Sequence, residues 1–170
     1  MAKKKSTKRI TCGHKANIMK LTDGLFLEVF NEIAKEYPNL KADDVIVDDL
    51  CMKLVSRPDL FDVVVLTNLQ GDIVSDLCAG LVGGLGFAPS ANIGDHISIF
   101  EAVHGTAPDI AGKNIADPTA AILSAALLLE HLKNPVAATR IENAVAADLA
   151  SRGDKKRSTQ EVAESIFALL

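Results

Sequence analysis

The amino-acid sequence predicts an α/β fold, in which short strands alternate with longer helices. Three segments rich in β-branched residues, 9–14, 44–48 and 62–66, are each followed by a stretch with apolar residues at helical spacing. Strands that alternate with helices in this way form a mostly parallel sheet. The third segment, DVVVL, is almost entirely apolar, which is typical of a strand covered on both faces.

Local signals define the remaining elements in chain order. The first helix starts near residue 21 and ends before Tyr37 and Pro38, because proline cannot continue a helix. The helix that follows the third strand ends where three glycines occur within residues 83–86. Asp117 is placed to cap a helix that Pro118 opens. The other expected elements are a short helix through residues 51–55, a helix from about residue 71, a strand at 97–100 and helices at 118–132, 135–151 and 158–169.

Composition and charge restrict the class of protein. The 170 residues are 48% apolar with a mean hydropathy of +0.20, which excludes a disordered chain. Five of the 18 basic residues lie in the first nine positions, so residues 1–8 are expected to form a solvated basic tail on an acidic body. An acidic body argues against a nucleic-acid partner, and no apolar run approaches the roughly 20 residues that span a bilayer. Neither nucleic acid nor a membrane is an expected partner.

The three cysteines form neither a CxxC motif nor a cluster with histidine. Their odd number argues against a disulfide scaffold, and their spacing argues against a zinc site. We therefore expect reduced thiols and a cytoplasmic location, or the mitochondrial matrix in a eukaryote.

Asp72 and Asp76 are candidate metal ligands that follow the third strand. Residues four apart lie on one face of a helix, and ligands of α/β proteins bind beyond the carboxyl ends of strands. Carboxylate oxygens suit Mg²⁺ or Mn²⁺, but a solvated helix start stabilised by the helix dipole is the alternative. Asp48 or Asp49, after the second strand, is either a third ligand or a helix cap.

Two further segments could contribute to a reaction. Lys15 follows the first strand, and a lysine beside a metal and a carbonyl can transfer protons, although an isolated lysine is usually solvated. The loop at 100–113 is rich in small residues that leave backbone amides accessible, so it could hold a nucleotide, with Asp109 accepting from ribose hydroxyls. A dinucleotide-binding GxGxxG motif is absent after the strands.

Three long segments carry a resemblance to a known family. HKANIMKLTDG, NLQGDIVSDLCAGLVGGLGFAPSANIGD and FEAVHGTAPDIAGKNIADPTAAILSA resemble the decarboxylating β-hydroxyacid dehydrogenases, the isocitrate and isopropylmalate dehydrogenase family. The match covers residues 8–170, and the first segment is most similar to the NAD-type isocitrate branch. The resemblance implies the C-terminal half of that family's α/β fold. Residues 9–81 would be a remnant of the small dimerisation and catalytic domain, and 82–170 a remnant of the large cofactor-binding domain.

The same resemblance implies roles for individual residues. Lys15 matches the catalytic lysine, and Asn17 matches an asparagine near the nicotinamide and the substrate. Asp72 and Asp76 match the metal-binding pair, and Asp48 matches the aspartate that completes the Mg²⁺ or Mn²⁺ site from the neighbouring subunit of a dimer. The segment that would bind the cofactor comprises Glu101, His104, Gly105, Thr106, Ala107, Pro108, Asp109 and Ile110.

The cofactor that the resemblance implies is NAD. Asp109 and Ile110 stand where NADP-dependent relatives carry Lys-Tyr, and a carboxylate there would accept from ribose hydroxyls and repel a 2′-phosphate. Asp117 stands where family members usually carry an asparagine that contacts adenine. Aspartate lacks the amide donor of asparagine, so this position departs from the family pattern.

The implied reaction is the NAD-dependent oxidative decarboxylation of a 2-hydroxy acid, with isocitrate to 2-oxoglutarate in the tricarboxylic acid cycle as the expected case. Full-length relatives also carry a GDGIGPE-type segment, substrate-binding arginines and a catalytic tyrosine, which do not precede residue 8 here. We therefore expect this chain to be inactive alone and to require a complementary N-terminal half, or a partner subunit. The alternatives are a non-catalytic or regulatory subunit, a homoisocitrate dehydrogenase and a 3-isopropylmalate dehydrogenase.

Overall fold

The computed structural model describes residues 8–153 and 156–170, and confirms the predicted α/β class. The chain divides into two compact units, Met1–Leu81 and Val82–Leu170. Of the predicted basic tail, residues 1–7 lie outside the described residues. None of the described helices has the length and apolar character that a membrane span requires.

The first unit is built on a three-stranded parallel sheet. Its strands lie in the order β2-β1-β3, and residues of the central strand β1 pair with both neighbours, Ile10 with Ala42 and with Val63. Because all three strands are parallel, the segments that follow them leave from the same edge of the sheet. The elements are β1 (Arg9–His14), α1 (Thr22–Ala34), β2 (Lys41–Ile46), α2 (Val47–Ser56), β3 (Val63–Val65) and α3 (Asn68–Leu81).

The buried core of this unit joins β2, α2 and α3. Val45, Leu50, Leu54 and Val74 form one apolar cluster, in which Leu50 is fully buried. Gly13 of β1 lies against this cluster so closely that an added Cβ would be 2.4 Å from the Leu66 side chain. A larger residue at this point of the central strand would therefore require the side chains of Leu66 and Leu50 to shift.

An apolar cavity of about 490 Å³ separates α1 from parts of the sheet. Phe26, Val29, Phe30 and Ile33 contribute to it from α1, and Ile10 contributes from β1. Other apolar residues of α1 face solvent, and Leu25 is 59% exposed. The first unit thus buries one side of its sheet well and leaves apolar surface around α1.

The second strand, the third strand and the helix after it have bounds that differ from the prediction. The third strand is Val63–Val65 rather than 62–66. The second strand runs over Lys41–Ile46 rather than 44–48, because Lys41 pairs with Arg9 and the Arg9 guanidinium forms an ion pair with Asp43 at 2.7 Å. Asp48 consequently lies in the first turn of α2 and does not end a strand. The helix α3 begins at Asn68, three residues before its predicted start.

The second unit combines an antiparallel hairpin with three helices. The hairpin pairs Pro89 with Ala102 and Ile93 with Ser98. Its first strand is missing from the sequence-based prediction, and the second runs two residues further than predicted. The elements are β4 (Pro89–Ile93), β5 (Ser98–Ala102), α4 (Thr119–His131), α5 (Pro135–Arg152) and α6 (Thr159–Phe167).

Packing between α5 and α6 forms the core of the second unit. Ala144, Val145, Val162 and Ile166 are buried together, and the small alanine lets the helices approach closely. At the start of α4 the cap differs by one residue from the prediction, because Thr119 is the first helical residue and Pro118 occupies the cap position. Asp117 contributes from one position further out, where its Oδ1 accepts the Thr119 N–H at 2.9 Å.

Candidate functional site

Lys15 and Asp48 lie together at the carboxyl edge of the parallel sheet. His14 ends β1 opposite Ile46, the last residue of β2, so the residues that follow the two strands are neighbours. The Lys15 Nζ donates a hydrogen bond to the exposed Asp48 carboxylate. This hydrogen bond lowers the pKa of Asp48 from its usual value. Asn17 is exposed two residues further along the same loop.

A buried carboxylate holds the backbone of the Lys15 loop. Asp23, in the first turn of α1, is 3% exposed and accepts the Lys15 N–H at 2.7 Å. Its Oδ2 also accepts from Nε2 of Gln70, in α3, at 2.7 Å. The sequence-based prediction includes neither Asp23 nor Gln70. Asp23 lies in the HKANIMKLTDG segment, and a charged residue at a buried position of a helix is unusual.

His14 supports the same turn from within the sheet. Its ring is buried, and Nδ1 accepts the Ala16 N–H at 3.0 Å. The remaining ring nitrogen, Nε2, therefore carries the proton that it shares with Asp44 at 3.1 Å. The loop that presents Lys15 is thus fixed both by His14 and by Asp23.

The predicted metal ligands are only partly brought together within one chain. Asp72 and Asp76 are exposed and lie on one face of α3 because they are four residues apart. Asp72 is the fifth residue of α3, so the alternative of an acidic first turn stabilised by the helix dipole does not apply to it. Within residues 8–153 and 156–170, His, Cys, Asp and Glu form no group of three that could hold a metal ion.

The donor set nevertheless has the chemistry of a divalent-cation site. Asp72 and Asp76 offer hard carboxylate oxygens, which are the preferred ligands of Mg²⁺ and Mn²⁺. Asp48, the predicted third ligand, is engaged by Lys15 of the same chain. Among the described residues, Asp48, Asp72 and Asp76 therefore do not form one three-carboxylate group.

A cavity of about 790 Å³ lies in the second unit beside the Gly- and Ala-rich loop. Six of the nine candidate cofactor residues line it. Glu101, Pro108 and Asp109 are the three that do not. The six lining residues are His104, Gly105, Thr106, Ala107, Ile110 and Asp117.

Local geometry shapes the loop around this cavity. Nδ1 of the exposed His104 ring donates to the carbonyl oxygen of Gly105 at 3.0 Å. Ala107 adopts a left-handed conformation with φ of 42°, an uncommon and costly state for a residue with a Cβ. A short 3₁₀ turn at Pro108–Ile110 follows and leaves Asp109 exposed. Glu101 instead accepts from Asn92 across the hairpin at 3.0 Å.

An ion-pair network lies behind the Asp117 side of the cavity. The Asp117 carboxylate pairs with Arg152, which also binds the fully buried Asp148 at 2.8 Å. Burial alone would raise the pKa of Asp148, but hydrogen bonds from Arg157, Ser165 and Arg152 outweigh burial and hold that pKa well below its usual range. Sequence reasoning missed Arg152 and Asp148, because only the fold brings residues 117, 148, 152 and 157 together.

Comparison with known proteins identifies the family of the chain. The family described as isocitrate/isopropylmalate dehydrogenase matches residues 1–166. An isocitrate/homoisocitrate dehydrogenase of Thermus thermophilus is 51% identical over 99% of this chain. A mitochondrial regulatory subunit of NAD isocitrate dehydrogenase from Dictyostelium discoideum is 60% identical over 81% of the chain. The crystal structure of isocitrate dehydrogenase from Methylococcus capsulatus superposes with a TM-score of 0.94 at 50% identity over 99% of the chain.

The chain spans only part of each of these proteins. It covers 53% of the Thermus relative, 39% of the Dictyostelium relative and 52% of the Methylococcus chain. Its fold is accordingly an incomplete version of the fold of these relatives. With a family match over nearly its whole length, the chain belongs to the isocitrate/isopropylmalate dehydrogenase family.

Proposed function

We propose that this chain contributes the lysine, the metal carboxylates and the cofactor loop to an enzyme that oxidises a 2-hydroxy acid with NAD and releases CO₂. Isocitrate is the expected substrate. The observation that carries the proposal is the cavity of about 790 Å³ in Val82–Leu170, which six of the nine candidate cofactor residues line. Membership of the family supplies the class of reaction.

The loop around this cavity suits NAD better than NADP. Gly105 and Ala107 leave the backbone accessible to a pyrophosphate, because neither carries a long side chain. The exposed carboxylate of Asp109 can accept from two ribose hydroxyls and repels a 2′-phosphate. A dinucleotide with an unmodified ribose is therefore the expected ligand.

The first unit supplies the groups that move protons. Lys15 carries a proton at Nζ, held at Asp48, and can deliver it to the enolate that the loss of CO₂ leaves behind. Asp23 fixes the Lys15 backbone, so the ammonium reaches the substrate from a defined position. Asn17 in the same loop is exposed and available to orient the substrate.

Asp72 and Asp76 would hold a divalent ion, with Asp48 of a second copy of the chain as the expected third ligand. The nicotinamide, when bound, accepts the hydride, and the ion, when bound, withdraws charge from the substrate oxygens. Because Lys15 and Asp48 pair within one chain, each copy in a dimer would supply both residues to Asp72 and Asp76 of the other copy.

A complementary N-terminal half is the proposed partner of the first unit. The chain covers about half of the Thermus and Methylococcus proteins, and apolar surface around α1 stays uncovered in the first unit. The cavity of about 490 Å³ between α1 and the sheet is lined by apolar side chains that a further packed element would bury. We therefore propose that the 170 residues alone lack dehydrogenase activity.

The proposal is tested by joining the N-terminal half of the Thermus relative to this chain in one polypeptide. NADH formation is then measured with Mn²⁺ and isocitrate, homoisocitrate or 3-isopropylmalate. We expect NADH with isocitrate from the fusion and none from the 170 residues alone. Turnover by the chain alone, or a folded fusion that oxidises none of the three acids, would contradict the proposal.

A non-catalytic subunit is the second candidate function, and the 60% identity to a regulatory subunit supports it. The two candidates differ in their dependence on Lys15. A catalytic chain loses activity in the fusion when Lys15 is replaced by alanine. A regulatory chain instead changes the activity of a separate catalytic partner, and the same replacement leaves that effect intact.

A further inference from the structure

The buried ring of His14 holds the loop that presents Lys15 through a hydrogen bond that only a neutral imidazole can make. His14 is 5% exposed, and its Nδ1 accepts the Ala16 N–H at 3.0 Å. Acceptance requires that Nδ1 carries no proton. On the other side of the ring, Nε2 donates to Asp44 of β2 at 3.1 Å. Both ring nitrogens are therefore engaged, one as an acceptor and the other as a donor.

Ala16 directly follows Lys15 at the start of a tight turn. The Lys15 carbonyl oxygen accepts two backbone N–H groups further along this turn, at 2.9 and 2.8 Å. Two contacts tie the start of the turn to the rest of the first unit, that of the Ala16 N–H with His14 and that of the Lys15 N–H with Asp23. Loss of the Ala16 contact therefore removes one of these two restraints on the Lys15 backbone.

Protonation of His14 reverses the hydrogen bonding at Nδ1. An imidazolium donates from both ring nitrogens, so its Nδ1–H would oppose the Ala16 N–H as a second donor. A half-turn of the ring does not relieve this conflict, because the other nitrogen also carries a proton. The ring is nearly closed to solvent, so water does not reach the new N–H in the present position. The Ala16 segment must therefore move away from a charged ring.

Two carboxylates near the ring favour its charged form. Burial raises the pKa of the neighbouring Cys12 thiol to about 11, and the charges of Asp44 and Asp23 add to this shift. The thiol is therefore neutral, and the same two carboxylates attract a proton to the imidazole. The strand on the other side of β1 adds no charge, because Val63–Val65 consists of valines.

Other features oppose the charged form. Burial disfavours an imidazolium, and so does the Ala16 N–H that points at Nδ1. Lys15, the next residue, carries the cation closest in sequence, and this cation is paired with Asp48. Because attraction and opposition act together on a side chain that changes charge between about pH 5 and 8, the balance can change within this range.

We propose that His14 is a pH-sensitive switch that fixes the Lys15 loop when its ring is neutral and releases it when the ring is charged. On acidification Nδ1 takes up a proton from solvent, Nε2 stays on Asp44, and the Ala16 N–H loses its acceptor. His14 is thus a positioning residue for Lys15. The consequence for catalysis rests on the proposed role of Lys15 in proton transfer, whereas the exchange of hydrogen bonds does not.

NMR of the ¹⁵N-labelled 170-residue chain tests this switch. Long-range ¹H–¹⁵N spectra from about pH 8 to about pH 5 show which ring nitrogen of His14 carries a proton. Hydrogen exchange of the Ala16 amide is divided by that of the Lys15 amide, because this ratio removes the common effect of pH on exchange. We expect Nδ1 to gain a proton on acidification and the ratio to rise roughly tenfold over the same interval, as the loss of one hydrogen bond implies.

His14→Asn and His96→Asn form a matched pair. The asparagine Oδ1 at position 14 takes the place of Nδ1 and accepts the Ala16 N–H, but it does not titrate, so the ratio should stay constant. His96 is exposed in the second unit, so His96→Asn should retain the tenfold rise. If His14→Asn does not fold, Asp44→Asn replaces it. Removal of this half-exposed charge should move the protonation of the ring and the rise in the ratio to lower pH together.

Three results overturn the switch. One is a constant ratio while Nδ1 gains its proton, and another is a rise of equal size in His14→Asn. The third is a ring that stays neutral down to the pH at which the chain unfolds. None of these measurements involves NAD or turnover. A fused enzyme that oxidises no hydroxy acid therefore refutes the proposed function and leaves the switch standing, so the two failures are distinguishable.

Discussion

The buried carboxylate of Asp23 accepts a hydrogen bond from the Gln70 side chain at 2.7 Å. The same oxygen accepts the backbone N–H of Lys15 at 2.7 Å. Asp23 therefore connects the loop after β1, which carries Lys15, to the first turn of α3, the helix that carries Asp72. One buried residue fixes two elements that the proposed reaction requires.

Replacement of Asp23 by alanine should destabilise the first unit by about 1–3 kcal/mol. The substitution leaves the Lys15 N–H and the Gln70 amide without their acceptor in a site that is closed to solvent. Urea unfolding followed by circular dichroism measures the change. Glu28→Gln, at an exposed position of α1, is the control and should change little. An Asp23→Ala chain as stable as this control would contradict the assigned role.

The stability of the second unit should depend on the ionisation of Asp148. Its folded pKa lies below the value of about 3.9 for an unfolded aspartate, so the unfolded state binds more protons between the two values. The stabilisation is therefore complete above the unfolded pKa and is lost as the pH falls through the folded pKa. We expect the urea midpoint of this unit to be constant above about pH 5 and to fall below about pH 4.

Two variants separate Asp148 from the other carboxylates. Asp148→Asn should cost about 3–5 kcal/mol at neutral pH, because it leaves the Arg152 and Arg157 guanidinium groups poorly compensated. Ser165→Ala, which removes one hydrogen bond at 2.5 Å, should retain the fold and reduce the loss of stability in acid. A pH profile that Ser165→Ala leaves unchanged would assign the acid sensitivity to other groups.

Lys15→Ala should lower kcat of the fused enzyme by roughly 10²- to 10⁴-fold, the usual contribution of a proton-transfer group. Stability should change little, because the Lys15–Asp48 pair is exposed on the Asp48 side and solvent replaces it. Steady-state kinetics and thermal unfolding of the same preparation measure both quantities. Lys53→Ala, which removes another lysine–aspartate pair in the first unit, is the control. A decrease in kcat in the control as large as in Lys15→Ala would count against a specific role.

Asp109→Lys should shift the cofactor preference of the fused enzyme from NAD towards NADP. The substitution removes the acceptor for the ribose hydroxyls and supplies a cation for a 2′-phosphate. We expect kcat/KM for NAD to fall roughly tenfold and kcat/KM for NADP to rise. A roughly tenfold change corresponds to the usual contribution of one hydrogen bond to a charged group. Asp95→Asn, at another exposed carboxylate of the second unit, should leave both values unchanged. An unaltered NAD to NADP ratio in Asp109→Lys would refute the role of Asp109.

Elements with strong local signals could be predicted from the sequence. The strand β1 has the predicted bounds, and α5 and α6 lie within two residues of theirs, because Pro135 and the capping box of Ser158 and Glu161 mark their starts. The strand β4 was missed, since it begins with Pro89 and exists through its pairing with β5. The bounds of β2 likewise depend on its register with β1, which local patterns do not encode.

The candidate site shows the same division between local and long-range information. Most residues of the cavity loop follow one another closely in the sequence, so a motif is sufficient to identify them. Asp23 with Gln70, and Asp117 with Arg152, are separated by 47 and 35 residues. Their relationships arise only when the helices pack, so no spacing rule within one element reveals them.

The central claim is that the cavity in Val82–Leu170 holds NAD, and backbone NMR of the isotope-labelled 170-residue chain tests it most directly. Addition of NAD should shift the amide resonances of Gly105, Thr106, Ala107 and Asp117, and leave those of β1 in the first unit unchanged. NAD that shifts none of these cavity resonances, or that shifts those of the first unit instead, would contradict the account.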